Sequence, residues 1–434
     1  MSGPTTTQPS PAPSTKAPAI QLPFTLPWVP AGEDPQTSDI DRVHGLMKSA
    51  AYFTVFNGPN FATPNIAHEL IPGLPLYITS VEVNEQLHRC EMQAGYSGDQ
   101  IRAARRVGEA IGTVRIHWHP IPNYYEASPD CEPPAWVFNP TVQQRYCMLG
   151  GQLNLNDKDH TGAHNFGCGH TFPANEGGKL RMRVGAVIDM LVGRGQWEGV
   201  RGMCTINGYI EPPTALALTL MIRIVDPEGK FLPVDPIPPM QAIADPDPDA
   251  VTVMFLGEVD PSEGVHIIPA KDGKSMSGSH VNELLRLVSI QSDITGPSGL
   301  RTVTKEGPVV GKLKARLHFN PLSPAKMVPI QTTDGVFEFW DKRGNTIGTI
   351  NANMVEGRGI RTQVEGFPMP FYRFGGFGPI ISGTGQFEGA DGLMTLNATI
   401  CVFPRTLSNM YYFRFYDPQG KIRRAWAEMA DWSW

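Results

Sequence analysis

The chain has 434 residues, of which 45 are glycine and 41 proline. That is about a fifth of the whole, against roughly 12% in ordinary soluble domains, and it favours turn-rich β structure. A formal charge of −6 with only 18% charged residues gives no basic field for grasping phosphates, so nucleic acid is not the expected partner. The longest apolar stretch, Ala215 to Ile222, stops at Arg223, well short of the ~20 residues of a membrane helix, so no membrane association is expected.

Residues 1–38 are rich in Pro, Ser and Thr and read as a disordered tail. They carry no basic region followed by an apolar core, so a cytoplasmic protein is expected. Residues 39–72 read as a packing segment, with a short helix over Arg42 to Ala51 behind a Ser38-Asp39 cap, then the aromatic run Tyr52, Phe53 and Phe56. Residues 73–231 and 251–425 read as two folded domains around a Pro/Asp-rich linker, 232–250, and 426–434 as a C-terminal tail. The six cysteines (Cys90, Cys131, Cys147, Cys168, Cys204, Cys401) are too sparse for a secreted disulfide scaffold and read mostly as buried thiols.

The two domains repeat each other. Gly193, Gly195, Gln196, Glu198, Gly199, Gly202, Thr205 and Asn207 return as Gly383, Gly385, Gln386, Glu388, Gly389, Gly392, Thr395 and Asn397. Upstream, Gly112 to His119 aligns with Gly311 to His318, and downstream Asp226, Gly229 and Lys230 align with Asp417, Gly420 and Lys421. Three matches in one order mean duplication, and each copy is long enough to be a domain. Leu216, Leu218, Leu220, Ile222 and Ile224 alternate with period two, as do Tyr411, Phe413 and Phe415, so both runs read as half-buried strands. The expectation is an all-β chain of two tandem antiparallel β-barrels of about eight strands each, with the motif glycines in tight turns and bulges.

The run Ser382 to Gly392, followed by the aromatic strand Tyr411 to Tyr416, resembles the signature of the allene oxide cyclase and dirigent barrels, and the first copy matches it with Trp197 for Phe387 and Val200 for Ala390. In its tandem form the chain resembles fungal dirigent-like hetero-Diels-Alder enzymes of tropolone-sesquiterpenoid pathways. The resemblance implies a barrel whose apolar interior holds a reactive intermediate and fixes its stereochemistry without metal or organic cofactor. The implied reaction joins a quinone methide to a terpene alkene, with dehydration of the precursor. Hydrophobic small molecules are then the partners, and a homodimer is compatible with the packing of two barrels.

Candidate acid/base residues are His164, His170, Asp189 and Tyr125, any of which would help to expel water from a precursor. Candidate substrate-binding residues are Trp118, Tyr124, Arg183, Trp340, Arg358 and Tyr372, as aromatic walls or guanidinium donors. Asp189 shares strand parity with Arg181 and Arg183, which suits either an interior acid or an outward ion pair. Two metal-site patterns compete with structural readings. His117, His119 and Glu126 lack cupin spacing, and Cys147, His160, His164, Cys168 and His170 lack a paired C-x-x-C. The repeated Glu198/Glu388 and Arg223/Arg414 read as structural. The first copy, richer in histidines and loop aromatics, is the expected active one; a ligand carrier and a cupin-like oxygenase are the alternatives.

Overall fold

The computed structural model describes residues 47–57, 62–69, 77–92, 104–120, 143–155, 161–193, 198–211, 215–225, 242–244, 249–269, 276–293, 301–319, 327–362, 371–401 and 406–429. The first half contains β1 (Met47–Asn57), β2 (Ala62–Glu69), β3 (Tyr77–Met92), β4 (Ala104–Pro120), β5 (Gln144–Leu155), β6 (Thr161–Glu176), β7 (Lys179–Gly193), β8 (Gly202–Glu211) and β9 (Ala215–Val225). Then come β10 (Ala242–Ala244), β11 (Ala250–Val259), β12 (Val265–Pro269), β13 (Met276–Asp293), β14 (Arg301–His318), β15 (Met327–Pro329) and β16 (Gln331–Trp340). The second half ends with β17 (Thr346–Ala352), β18 (Glu356–Thr362), β19 (Phe371–Gly383), β20 (Gly392–Cys401), β21 (Thr406–Tyr416) and the helix α1 (Lys421–Met429).

The fold is an antiparallel β-sheet that closes on itself. In the second half the pairing runs from β11 through β13, β14, β16, β17, β19, β20 and β21 and returns to β11. In the first half it runs from β1 through β3, β4, β5, β6, β7, β8 and β9 and returns to β1. Such closure pairs the edges that would otherwise invite aggregation. The motif turns also repeat: Gly199 and Gly389 take φ of +82° and +79°, a backbone that side chains rarely adopt.

Local expectations fail where long-range pairing outweighs them. Residues 47–51 belong to β1, not to a helix, because β1 pairs with β9 along its whole length, from Met47↔Val225 to Asn57↔Ala215. A helix of about ten residues is marginal alone and cannot compete with a complete ladder. Within the expected linker, β10 pairs with β4. Residues 1–38 lie outside the described residues.

The expected C-terminal tail begins inside α1, whose Ile422, Ala425, Trp426 and Met429 are buried at helical spacing. Asp417 starts the helix by accepting from the backbone N–H groups of Ile422 (3.1 Å) and Arg423 (2.9 Å). Trp426 is wholly buried against the rings of Phe255, Phe339, Phe387 and Phe415. Beyond them Phe413 and Phe337 stack edge to face, and Phe337 meets Tyr411. This aromatic column fills one end of the second half's interior.

Strand parity assigns the two faces. On β14, Leu313 and Leu317 enter the core, followed just past the strand by Phe319, whereas Lys312 and Lys314 reach Glu338 and Glu263. β8 is buried on both faces because one lines an interior and the other meets the second half. There Asn207 Nδ2 donates to the carbonyls of Leu393 (3.1 Å) and Tyr412 (3.4 Å). Its repeat equivalent, Asn397, donates to the carbonyls of Met203 (2.9 Å) and Met221 (3.1 Å). The repeated asparagines therefore cross-link the halves with a pseudo-twofold relation. Burial of Asn397 at 1% exposure also removes Asn397-Ala398-Thr399 as a glycosylation site in the folded chain.

Replacing Asn397 with Ala removes both hydrogen bonds and leaves two buried carbonyls without these donors. The expected cost is about 2–3 kcal/mol, measured as a lower denaturation midpoint in urea.

Candidate active site

The second-half core holds a buried carboxylate. β13 sends Val281, Glu283 and Leu285 inward by strand parity, and Glu283 is 1% exposed. β21, two strands away through β11, sends in Asn409 and Tyr411. Tyr411 Oη lies 3.1 Å from each carboxylate oxygen of Glu283 and donates to the group. Asn409 Nδ2 donates to Glu283 Oε1 at 2.7 Å and to Tyr411 Oη at 3.1 Å. Between them β11 carries Gly257, paired with Asn409 and Leu285. A Cβ on Gly257 would sit 1.9 Å from Glu283 Oε2, so the missing side chain is the space that the carboxyl occupies.

Burial pushes Glu283 up to about 8, although the hydrogen bonds from Tyr411 and Asn409 pull the other way. The group is therefore mainly a neutral carboxylic acid at pH 7. Tyr411 is raised well above the usual phenol range, first by burial and then by the neighbouring carboxylate, and stays protonated. An acid poised near neutrality in an apolar interior can give a proton and take one back within a single turnover.

Glu283, Asn409 and Tyr411 stand on the wall of a small cavity that is partly open to solvent. Its other walls include Leu313, Leu317, Phe337, Phe374, Met394 and Leu396. Gly257→Ala drives a methyl group into the carboxyl and displaces it from Tyr411. The expected result is about 1–3 kcal/mol of destabilisation, read from thermal melting.

Of the residues singled out from the sequence, those whose side chains are described lie elsewhere. Asp189, 1% exposed, faces the second half and pairs with Arg373 Nη1 at 3.5 Å. Arg183 bridges Glu176 (2.7 Å) and Asp391, again between the halves. His170 Nε2 donates to Glu356 Oε2 at 2.6 Å, while Gln143 Nε2 donates to His170 Nδ1 at 3.0 Å. Arg145 also holds Glu356, and Arg358 Nε donates to Cys168 Sγ at 3.1 Å. Burial would raise Glu356, but the His170 and Arg145 contacts outweigh it and put the carboxyl at about 2. Burial pushes Cys168 up to about 12 despite Arg358, which leaves it a thiol and a poor nucleophile. This cluster is an ionic clasp joining β6 to β18.

Trp340 is half-buried and donates to Glu338 Oε1 at 2.8 Å. Tyr372 is a core residue packed edge to face on Phe319. Trp118 and His164 lie on β4 and β6, paired with Met148 and Gln152, but their side chains lie outside the described residues, as do Tyr124 and Tyr125 altogether. Among the described residues no group of three His, Cys, Asp or Glu side chains is placed to hold a metal, and no helix is long and apolar enough to cross a membrane.

The sequence did carry a signal for Glu283. Val83-Asn84-Glu85-Gln86-Leu87 returns as Val281-Asn282-Glu283-Leu284-Leu285, and the registers agree: Leu87 pairs with Gly112 and Leu285 with Gly311. The partners are not repeated. With Arg223 aligned to Arg414, Leu218 and Leu220 stand where the second half has Asn409 and Tyr411. No family model matches the chain, and no curated protein or solved structure matches it either.

Proposed function

We propose that the chain is a cofactor-independent cyclase acting on a hydrophobic small molecule in the cavity of its second half, with Glu283 as proton donor and acceptor. The observation that carries this reading is a buried carboxyl, held near neutrality beside Tyr411 and Asn409, on the wall of an otherwise apolar cavity. The internal repeat, the two circuits of strands and the shared glycine turns support tandem barrels of the allene oxide cyclase and dirigent kind.

The reaction proposed is a hetero-Diels-Alder cycloaddition preceded by dehydration. Glu283 gives its proton to the hydroxyl of the precursor, the C–O bond breaks and water leaves. The resulting carboxylate takes the proton of the precursor's enolic or phenolic hydroxyl, whose oxygen becomes the quinone-methide carbonyl, and the acid is restored. Cycloaddition with the alkene then forms one C–C and one C–O bond without further proton transfer. General acid–base catalysis of the first step is worth typically 10²–10⁴-fold, and confinement of both partners lowers the second barrier by removing orientational freedom.

The test incubates chelator-treated protein with a quinone-methide precursor and a macrocyclic terpene alkene and follows products by chiral chromatography. One stereoisomer formed faster than in a protein-free control is expected. A product ratio and rate equal to the control would overturn the proposal, and tight ligand binding alongside that result would leave a carrier. Tyr411→Phe removes a hydrogen bond that favours the Glu283 carboxylate, so Glu283 moves further above 8. The alkaline limb of kcat/KM, where the acid is lost, is expected to shift to higher pH.

A further inference from the structure

The polar wall of the cavity holds an acceptor that the proton transfers leave unused. Asn409 is 2% exposed, and its Nδ2 is engaged by Glu283 Oε1 and Tyr411 Oη, which fixes the orientation of the amide. Its Oδ1 is buried without a hydrogen-bond partner. A buried amide oxygen left empty is costly, and a group that donates to it recovers that cost on binding. The same wall carries the Glu283 carboxyl, which occupies the space that a side chain at position 257 would take. Among the described residues no Lys, Arg or His lines the cavity, so nothing there would compensate a carboxylate or phosphate ligand.

Resting on the cavity assigned above, we propose that Glu283 and Asn409 form a two-point clasp for a neutral alcohol. The ligand hydroxyl accepts a hydrogen bond from the carboxylic acid of Glu283 and donates its own hydrogen to Asn409 Oδ1, while its hydrocarbon frame lies on Leu313, Phe374 and Leu396. A ketone of the same frame accepts from Glu283 but has nothing for Asn409; a plain hydrocarbon satisfies neither. A site built to hydrogen-bond a hydroxyl rejects the analogue lacking it more strongly than an apolar pocket rejects a missing methylene. The clasp also selects the bond to be broken, because the hydroxyl nearest the acid is the one that leaves as water.

The experiment titrates the full-length protein with three probes of one carbon frame, 1-indanol, 1-indanone and indane, by calorimetry and ligand-observed NMR. 1-Indanol is expected to bind at least about tenfold more tightly than either analogue. In Asn409→Leu that preference is expected to fall to within about twofold, with the binding of indane retained. Equal affinity for alcohol and ketone in the wild-type protein would overturn the clasp, whatever the variant does. So would an unchanged preference in Asn409→Leu, or binding of none of the three probes. An alcohol preference in a protein that leaves the cycloaddition products at control ratios would sustain the clasp and sink the cyclase.

Discussion

Glu283→Gln is expected to slow the proposed cyclase reaction by orders of magnitude while making the folded protein more stable at neutral and alkaline pH. Glutamine keeps the shape of the side chain and still accepts from Asn409 and Tyr411 at Oε1, but it has no acidic proton to deliver. Turnover is expected to fall by about 10²–10⁴-fold, the range of a general acid or base. The gain in stability follows from linkage. Glu283 titrates at about 8 when folded, against an ordinary glutamate value of 4.5. Below pH 4.5 the carboxyl is protonated in both states and its shift has no effect on stability. Between 4.5 and 8 the unfolded chain releases the proton that the folded chain retains, so stability falls with rising pH by up to about 1.4 kcal/mol per unit from this residue alone. Above 8 the whole penalty stands. The variant escapes it, so its advantage over the wild type should be negligible near pH 4 and reach on the order of 4 kcal/mol by pH 8.5, as measured by urea denaturation across that range. Lost turnover with no pH-dependent gain in stability would mean that Glu283 is not held as a buried acid.

Asp189→Asn is expected to destabilise the protein by about 3–5 kcal/mol. Asp189 and Arg373 are 1% and 2% exposed and 3.5 Å apart, one in each half, and Arg373 also reaches Thr362 and the Gly202 carbonyl. Removing the carboxylate charge leaves a buried guanidinium without that compensation. The repeat explains why the pair exists. Arg183 and Arg373 are equivalent positions, and Arg183 pairs with Asp391, whose own equivalent in the first half is Arg201. A symmetric contact would set Arg373 against an arginine; Asp189, equivalent to Pro379, supplies the anion instead. Replacing both members, Asp189→Leu with Arg373→Met, is expected to recover most of the loss, because two charges then stay out of the interior together. Turnover per folded molecule should be unchanged in both variants. A hundredfold or greater fall in turnover with unaltered stability would return Asp189 to the acid/base role that its parity with Arg181 and Arg183 allowed.

Glu283 and Asp189 mark how much of the site could be read in advance. Asp189 was visible because it lies among arginines on a strand with clear alternation, yet alternation says only that two faces differ. Which face looks into a cavity and which onto another sheet depends on what packs there, and β7 and β8 are buried on both sides. Glu283 was legible in principle: it occupies the apolar parity of β13, inside a five-residue segment of which four residues recur in the first half. Its partners were not, because Asn409 and Tyr411 are 126 and 128 residues away and meet it only when β11 brings β13 and β21 together.

The β class, the repeat, the glycine turns and the strand parity are all written in the order of the residues, since each rests on interactions between near neighbours: period-two alternation, positive φ at Gly199 and Gly389, and the spacing of one motif copied twice. Everything else came from contacts between distant segments. Long-range pairing drew residues 47–51 into β1, because a full ladder with β9 outweighs a marginal helix. Packing brought Trp426 of the expected tail into the core, because the rings of Phe255, Phe339, Phe387 and Phe415 leave a space that only a large side chain fills. Closure of the sheet also set an acid, a phenol and an amide on one cavity wall, where burial makes their chemistry, and burial is a property of the closed sheet that no local pattern encodes.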